Sequence, residues 1–190
     1  MAALRGRGDR ATMLLVPPPP RVMPSPGPSP ALPDGAALLA LEDGARRRGS
    51  GLGITQLCGC WRLEQVWPKG AAAPSALNGV LLRGLGARLE IAAAGDAAAG
   101  PAPLQLRNAV RLGQLELCFH GSGWLQGRRP LLLFSFERLE LRLGSWRVLS
   151  RALPVVPPRR QPFFALIARG EGWLAARGRG GGLALWQLQA

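Results

Sequence analysis

From Leu57 onward the apolar positions of this chain recur every second residue. Trp61, Leu63 and Trp67 alternate with Arg62, Glu64 and Val66; Leu85, Ala87, Leu89 and Ile91 alternate with Gly86, Arg88 and Glu90. Leu104, Leu106, Val110 and Leu112 oppose Gln105, Arg107 and Arg111, and Leu115, Leu117 and Phe119 oppose Gln114, Glu116 and Cys118. The same rhythm continues where Leu139, Leu141 and Leu143 oppose Arg138, Glu140 and Arg142. A period of two puts one set of side chains on a buried face and the other in water, so each run predicts a strand. Turn residues punctuate the runs at Pro68-Lys69-Gly70, Asn78-Gly79, Gly95 to Pro103, Gly113, Gly121 to Gly127, Gly144-Ser145 and Pro154–Pro158. At the C-terminal end Phe163–Ala168 and Leu183–Leu188 read as two strands around a glycine- and arginine-rich loop.

Upstream the pattern changes. Asp34–Arg48 predicts a short helix, with Asp34 as N-cap, Leu38, Leu39 and Leu41 as its apolar side, and Arg46–Arg48 at the end where the dipole favours cations. Residues Met1–Pro33 read as a disordered tail, because nine of the eighteen prolines fall between Pro17 and Pro33 and little there can form a core. A transit peptide, an over-long gene start with Met13 or Met23 as the true first residue, and a plain flexible tail are all open readings of it. Leu57–Ala190 is then one domain. Many short strands with frequent turns favour an antiparallel sandwich or barrel, and the barrel is preferred because closure removes exposed edges that few lysines protect.

Composition changes this picture in one respect. The chain of 190 residues carries a net charge of +13, of which +3 lies in Met1–Ser50 and +10 in the remainder; Lys69 is its one lysine. Such a surface attracts anionic headgroups or nucleic acid. No apolar run reaches the roughly 20 residues of a spanning helix, so contact with a membrane is expected at its surface. Three cysteines give no disulfide framework, and Cys58, Cys60, Cys118 and His120 lack the spacing of a structural zinc site. They read as small apolar residues, and no metal or cofactor is expected. Catalysis is not expected either. The single histidine has one nearby nucleophile, Cys118, at a strand separation of about 7 Å.

Gly59-Cys60-Trp61 opens the first strand with a G-x-W, which is similar to the opening signature of lipocalins. That resemblance implies a tryptophan plugging the closed end of a barrel, with an arginine from late in the chain over its ring. Gly59–Leu63, Leu106-Arg107-Asn108-Ala109-Val110 with Leu115-Glu116-Leu117, Phe136–Leu141, and the closing Gly172-Trp173-Leu174, Arg177-Gly178-Arg179-Gly180 and Leu183-Ala184-Leu185-Trp186 together resemble the plastid-lipid-associated, or fibrillin, family. Plant members carry a tyrosine- and acid-containing element where this chain has Ala175-Ala176, so it looks more like the shorter cyanobacterial relatives. The resemblance implies a lipocalin-like barrel without catalysis, peripheral to a photosynthetic membrane. In a cyanobacterial-type protein that means the cytoplasm or the thylakoid surface, and in a eukaryote the plastid.

The expected function is binding or carriage of an apolar lipid-like molecule such as an isoprenoid, carotenoid, quinone or lipid. The alternatives are a membrane-surface or lipid-body coat without ligand and, ranked below both, a nucleic-acid-binding module. Inward-facing Phe119, Leu139, Leu141, Trp173 and Trp186 are the pocket candidates, and Trp61 is the structural plug. Arg177 and Arg179, on a glycine-rich turn, are read first as solvated turn residues and next as an anion or headgroup nest. The sequence leaves the ligand and the oligomeric state open.

Overall fold

The computed structural model describes residues 32–71, 73–75, 84–94 and 104–189. The tail up to Ala31 and the turns expected at Asn78-Gly79 and Gly95 to Pro103 lie outside them. Two helices, α1 (Gly35–Arg48) and α2 (Ile54–Leu57), precede nine strands: β1 (Gly59–Trp67), β2 (Arg88–Ala93), β3 (Leu104–Leu112), β4 (Leu115–Gln126), β5 (Leu131–Leu143), β6 (Trp146–Ala152), β7 (Phe163–Gly170), β8 (Trp173–Gly178) and β9 (Leu183–Leu188). The chain is mainly β, as its period of two predicts.

The strands form one antiparallel sheet in the order β4-β3-β2-β1-β9-β8-β7-β5-β6, and a further pairing of β4 with β5 closes it in a ring. β5 makes this possible by dividing one edge. Its start, Leu131–Leu133, pairs with β7, and its end, Arg138–Leu143, pairs with β6, while β4 runs along the other edge. β6 is therefore an appendage of the ring with its outer edge unpaired among the described residues.

Register sorts the side chains into two faces. Trp61, Leu89, Ile91, Leu104, Leu106, Leu132, Phe134, Leu166, Leu174 and Trp186 meet inside the ring as one buried cluster. Burying such side chains stabilises the fold by roughly 1.5–3 kcal/mol each. A second cluster, Leu38, Trp67, Ile167, Ala175, Leu183 and Leu185, lies on the other face of β7–β9, under α1. Those three strands are thus apolar on both faces, which explains their nearly continuous apolar runs.

Several expectations change. The C-terminal block holds three strands: Trp173–Gly178, read as part of a loop, is β8, and the turn is confined to Arg179–Gly182. Its small alanines obscured the alternation. A bulge between Leu63 and Gln65 reverses the facing of β1, so Trp67 joins the outer cluster rather than sharing a face with Trp61. Leu85 and Gly86 form a turn ahead of β2. On α1, Leu38, Glu42 and Ala45 are buried, whereas Leu39 and Leu41 are exposed. Their spacing of four and three residues marks one helical stripe, and it happens to contain a carboxylate. The N-cap stands as expected, Asp34 accepting from the Ala37 N–H at 2.8 Å.

Gly121 to Gly127, expected as a turn, is mostly strand, because Gly121 and Gly123 lie inside β4 opposite Phe136 and Phe134. A β-carbon at Gly121 would overlap the Ser135 carbonyl, and one at Gly123 would sit 2.6 Å from Leu106 Cδ1. Glycine here marks close approach of neighbouring strands, not chain reversal. Gly121→Ala is expected to lose about 3 kcal/mol in a denaturant titration, while Gly180→Ala, with open space around it, stays within about 0.5 kcal/mol. Equal stability of the two variants would refute the close-approach explanation.

Candidate functional site

The expected pocket residues divide between the two faces. Phe119 pairs with Leu139 and Leu117 with Leu141, which puts Phe119, Leu139 and Leu141 on the face that continues into the ring interior. Trp186 lies in that interior. Trp173 does not: it is opposite Gln187 while Leu174 is opposite Trp186, so its ring packs with the cluster under α1. Tryptophans spaced by a turn of unknown length cannot be assigned to a face from sequence.

Inside the ring the aromatic side chains touch in series. Phe119 meets Phe136 at a centroid distance of 5.5 Å, Phe136 meets Phe134 at 5.3 Å, Phe134 stacks on Phe164 at 5.1 Å, and Phe164 meets Trp186 edge-on at 5.3 Å. These are direct contact distances for aromatic pairs. Trp61 is fully buried near α2, donates its indole N–H to the Leu57 carbonyl at 2.7 Å, and has the Arg169 guanidinium 5.8 Å from its ring centroid. That distance is within the range of a cation–π contact.

Arg177 and Arg179 are occupied by the fold. Arg177 grips Glu42 with two nitrogens, one at 2.7 Å, and donates a third N–H to the Gly181 carbonyl at 2.6 Å. Arg179 donates to the carbonyls of Gln161 and Arg159 at 2.8 and 2.6 Å. Glu42 is 2% exposed and also receives Arg46 and Arg129, each at 2.9 Å. Burial alone would raise its carboxyl pKa; the hydrogen bonds from Arg177 and Arg46 outweigh that and lower it to about 2. The stripe Leu38, Glu42, Ala45 was the available sequence signal for this residue, hidden by the preference for leucines.

The larger of the two described cavities opens on the other face of β1–β5. A single cross-strand row crosses it: Cys60, Glu90, Arg107, His120 and Arg138, ending at Ala152 on β6. These residues with Gln105, Ser122 and Glu137 line a cleft of about 970 Å³. Arg107 bridges Glu90 and Glu116, and its Nη2 lies 3.0 Å from Cys118 Sγ. Arg88 joins the same two carboxylates. Buried Glu140 collects Arg138 at 3.2 Å, Arg147 at 3.7 Å and His120 Nε2 at 3.5 Å. The last distance is too long for a good hydrogen bond, and His120 Nε2 has no partner among the described residues. Burial lowers the His120 pKa against the opposing pull of Glu140, so the ring is neutral at pH 7. Burial likewise raises the Cys60 and Cys118 thiols, keeping both protonated there.

Among the described residues no group of three or more histidine, cysteine, aspartate or glutamate side chains is placed to hold a metal ion. Cys60 and His120 share the row but are three strands apart, about 14 Å. Sequence reading treated this row as a solvated face. Only the register of five strands brings its members together.

A further surface was missed. β6 is exposed along its whole length. Leu112, Leu115, Leu143 and Trp146 form one cross-strand row, and Val110, Leu117, Leu141 and Leu149 the next. Trp146 is 77% and Leu112 64% exposed. Exposed Arg151, opposite Leu139, shares their face, whereas Arg111 and Arg147 fall in the row of Glu116 and Arg142 on the other face. No family model, curated protein or solved structure matches the chain.

The Glu42 cluster has a pH signature. A carboxyl with a depressed pKa in the folded chain contributes stability above its ordinary value of 4.5, lost as pH falls towards about 2. Thermal melts between those values should show a loss in the native protein that Glu42→Gln lacks. The variant itself is expected to cost about 3 kcal/mol, because three arginines lose their anion. An unchanged acid profile in the variant would rule out Glu42 as the source.

Proposed function

We propose that the protein is a non-enzymatic membrane-surface protein that docks on anionic lipid through the tip formed by β3, β4, β5 and β6. The carrying observation is the uncovered row Leu112–Leu115–Leu143–Trp146, with exposed Arg151 on the same face. Leucine and tryptophan side chains enter the headgroup boundary, and basic residues beside them hold anionic lipid. Contiguous apolar surface of this kind on a monomer marks an interaction site. The described residues contain no helix long and apolar enough to cross a membrane. Resemblance to the fibrillin family supports a photosynthetic membrane or plastid lipid body as the surface.

Carriage of an isoprenoid, carotenoid or quinone inside the ring is the second reading, favoured by the closed sheet and its apolar interior. The lipocalin-like character of the barrel belongs to this reading. The unbroken contacts from Phe119 to Trp186 weigh against it, since a ligand on that path would have to part rings that already touch. Nucleic acid ranks below both, because the arginines of the glycine-rich turn donate to Glu42 and to backbone carbonyls.

Co-sedimentation with vesicles of phosphatidylglycerol in phosphatidylcholine tests the docking. Binding is expected, with release by salt and a blue shift of tryptophan fluorescence that Trp146→Ser abolishes. Trp146→Ser should weaken binding about tenfold, and Arg151→Gln roughly fivefold. Binding to single-stranded nucleic acid with none to vesicles, or vesicle binding indifferent to both substitutions, would overturn the proposal.

A further inference from the structure

The polar cleft lies on the opposite face of the sheet from the apolar row, and docking at the tip leaves it unused. Its floor is ordered. Arg107 and Arg88 satisfy Glu90 and Glu116, and Glu140 holds Arg138 and Arg147, so the row does not need solvent to fix its side chains. A rigid, internally braced lining is what small-molecule sites use to fix orientation.

The groups still able to bind are of two kinds and lie at one end. Arg138 is half exposed and engages Glu140 through Nε, while His120 beside it turns its buried Nε2 toward the same carboxylate. The exposed guanidinium of Arg138 faces an acceptor or anion. Glu137, exposed on the bulge of β5, accepts one bond from Ser122 Oγ at 2.6 Å and has carboxylate lone pairs to spare. It faces a donor or cation. Because Glu137 and Arg138 are consecutive and His120 and Ser122 are two apart on the paired strand, both functions fall within a few ångströms. An occupant of one charge sign would meet an opposing like charge; one carrying both signs satisfies both ends.

We propose that this end of the cleft binds a small zwitterionic group, an anion seated on Arg138 beside His120 and a protonated amine seated on Glu137. A free zwitterionic metabolite and the headgroup of an amine-bearing phospholipid share that chemistry.

The probe is phosphoethanolamine, titrated into the full-length protein by calorimetry and followed through the histidine ring signals by NMR. His120 is the only histidine, so its signals report one site. Phosphoethanolamine is expected to bind and shift them, with inorganic phosphate and ethanolamine each binding about tenfold more weakly. Glu137→Gln should remove the advantage of phosphoethanolamine over inorganic phosphate, and Arg138→Gln should abolish binding of both. Both side chains are exposed, so the variants are expected to fold; Trp146→Ser serves as the variant that leaves this site intact. Competition by phosphatidylethanolamine vesicles stronger than by phosphatidylcholine vesicles would assign the site to a lipid headgroup, and competition by neither to a soluble metabolite. No histidine shift with any probe, or equal binding of phosphoethanolamine to both variants, overturns the proposal. Anionic-vesicle binding through the tip is read separately, so either assignment can fail without the other.

Discussion

β5 is thirteen residues long and has to serve two neighbours on one edge. Where β7 takes that edge, the sheet closes and apolar side chains meet across the ring. Where β6 takes it, the sheet continues past the ring and the same apolar face has nothing opposite it among the described residues. The bulge between His120 and Gly121, opposite Glu137, falls between these two stretches. A bulge adds local twist and bends the strand. Interior, apolar tip and polar cleft therefore follow from one strand changing partners.

Closure alone does not hold α1 in place. Its inward stripe contributes only Leu38, Ala45 and Glu42, too little apolar surface for a helix of this length to dock by burial. The Glu42 carboxylate supplies what is missing by joining α1 to Arg177 on β8 and to Arg129 beside β5. Taking those charges out of water is costly, and a pair of this kind is retained only with near-complete hydrogen bonding. Glu42 receives bonds from three different arginines, and Arg177 adds the Gly181 carbonyl. The arginine-glycine turn then serves to aim Arg177, which accounts for its arginines without an external anion.

Strand content and the N-cap of α1 were legible because both rest on local rules: alternation and an aspartate before a helical run. The faces were not. One bulge in β1 separates Trp67 from Trp61, and no local signal announces it. Glycines mislead in the same way, since Gly121 and Gly123 look like turn residues until Phe136 and Phe134 are known to lie opposite. The polar row is the extreme case. Cys60 and Arg138 are 78 positions apart, and their relation depends on four successive registers. Alternation gives each residue a side of its own strand; only pairing gives it neighbours.

An open apolar edge is a hazard that proteins usually blunt with lysine, proline or a covering segment. β6 has no lysine or proline, and no covering segment among the described residues, and instead carries Arg147 and Arg151 beside Trp146, Val148 and Leu149. Two arginines on one edge strand oppose close pairing with a second copy, because like charges directly across a ladder repel. They do not oppose an anionic surface, and Arg151, on the apolar face, would favour contact with one. Charge on this edge thus discriminates between occupants while the leucines and Trp146 supply the same apolar area to either. That discrimination is the physical reason for proposing lipid rather than self-association at the tip.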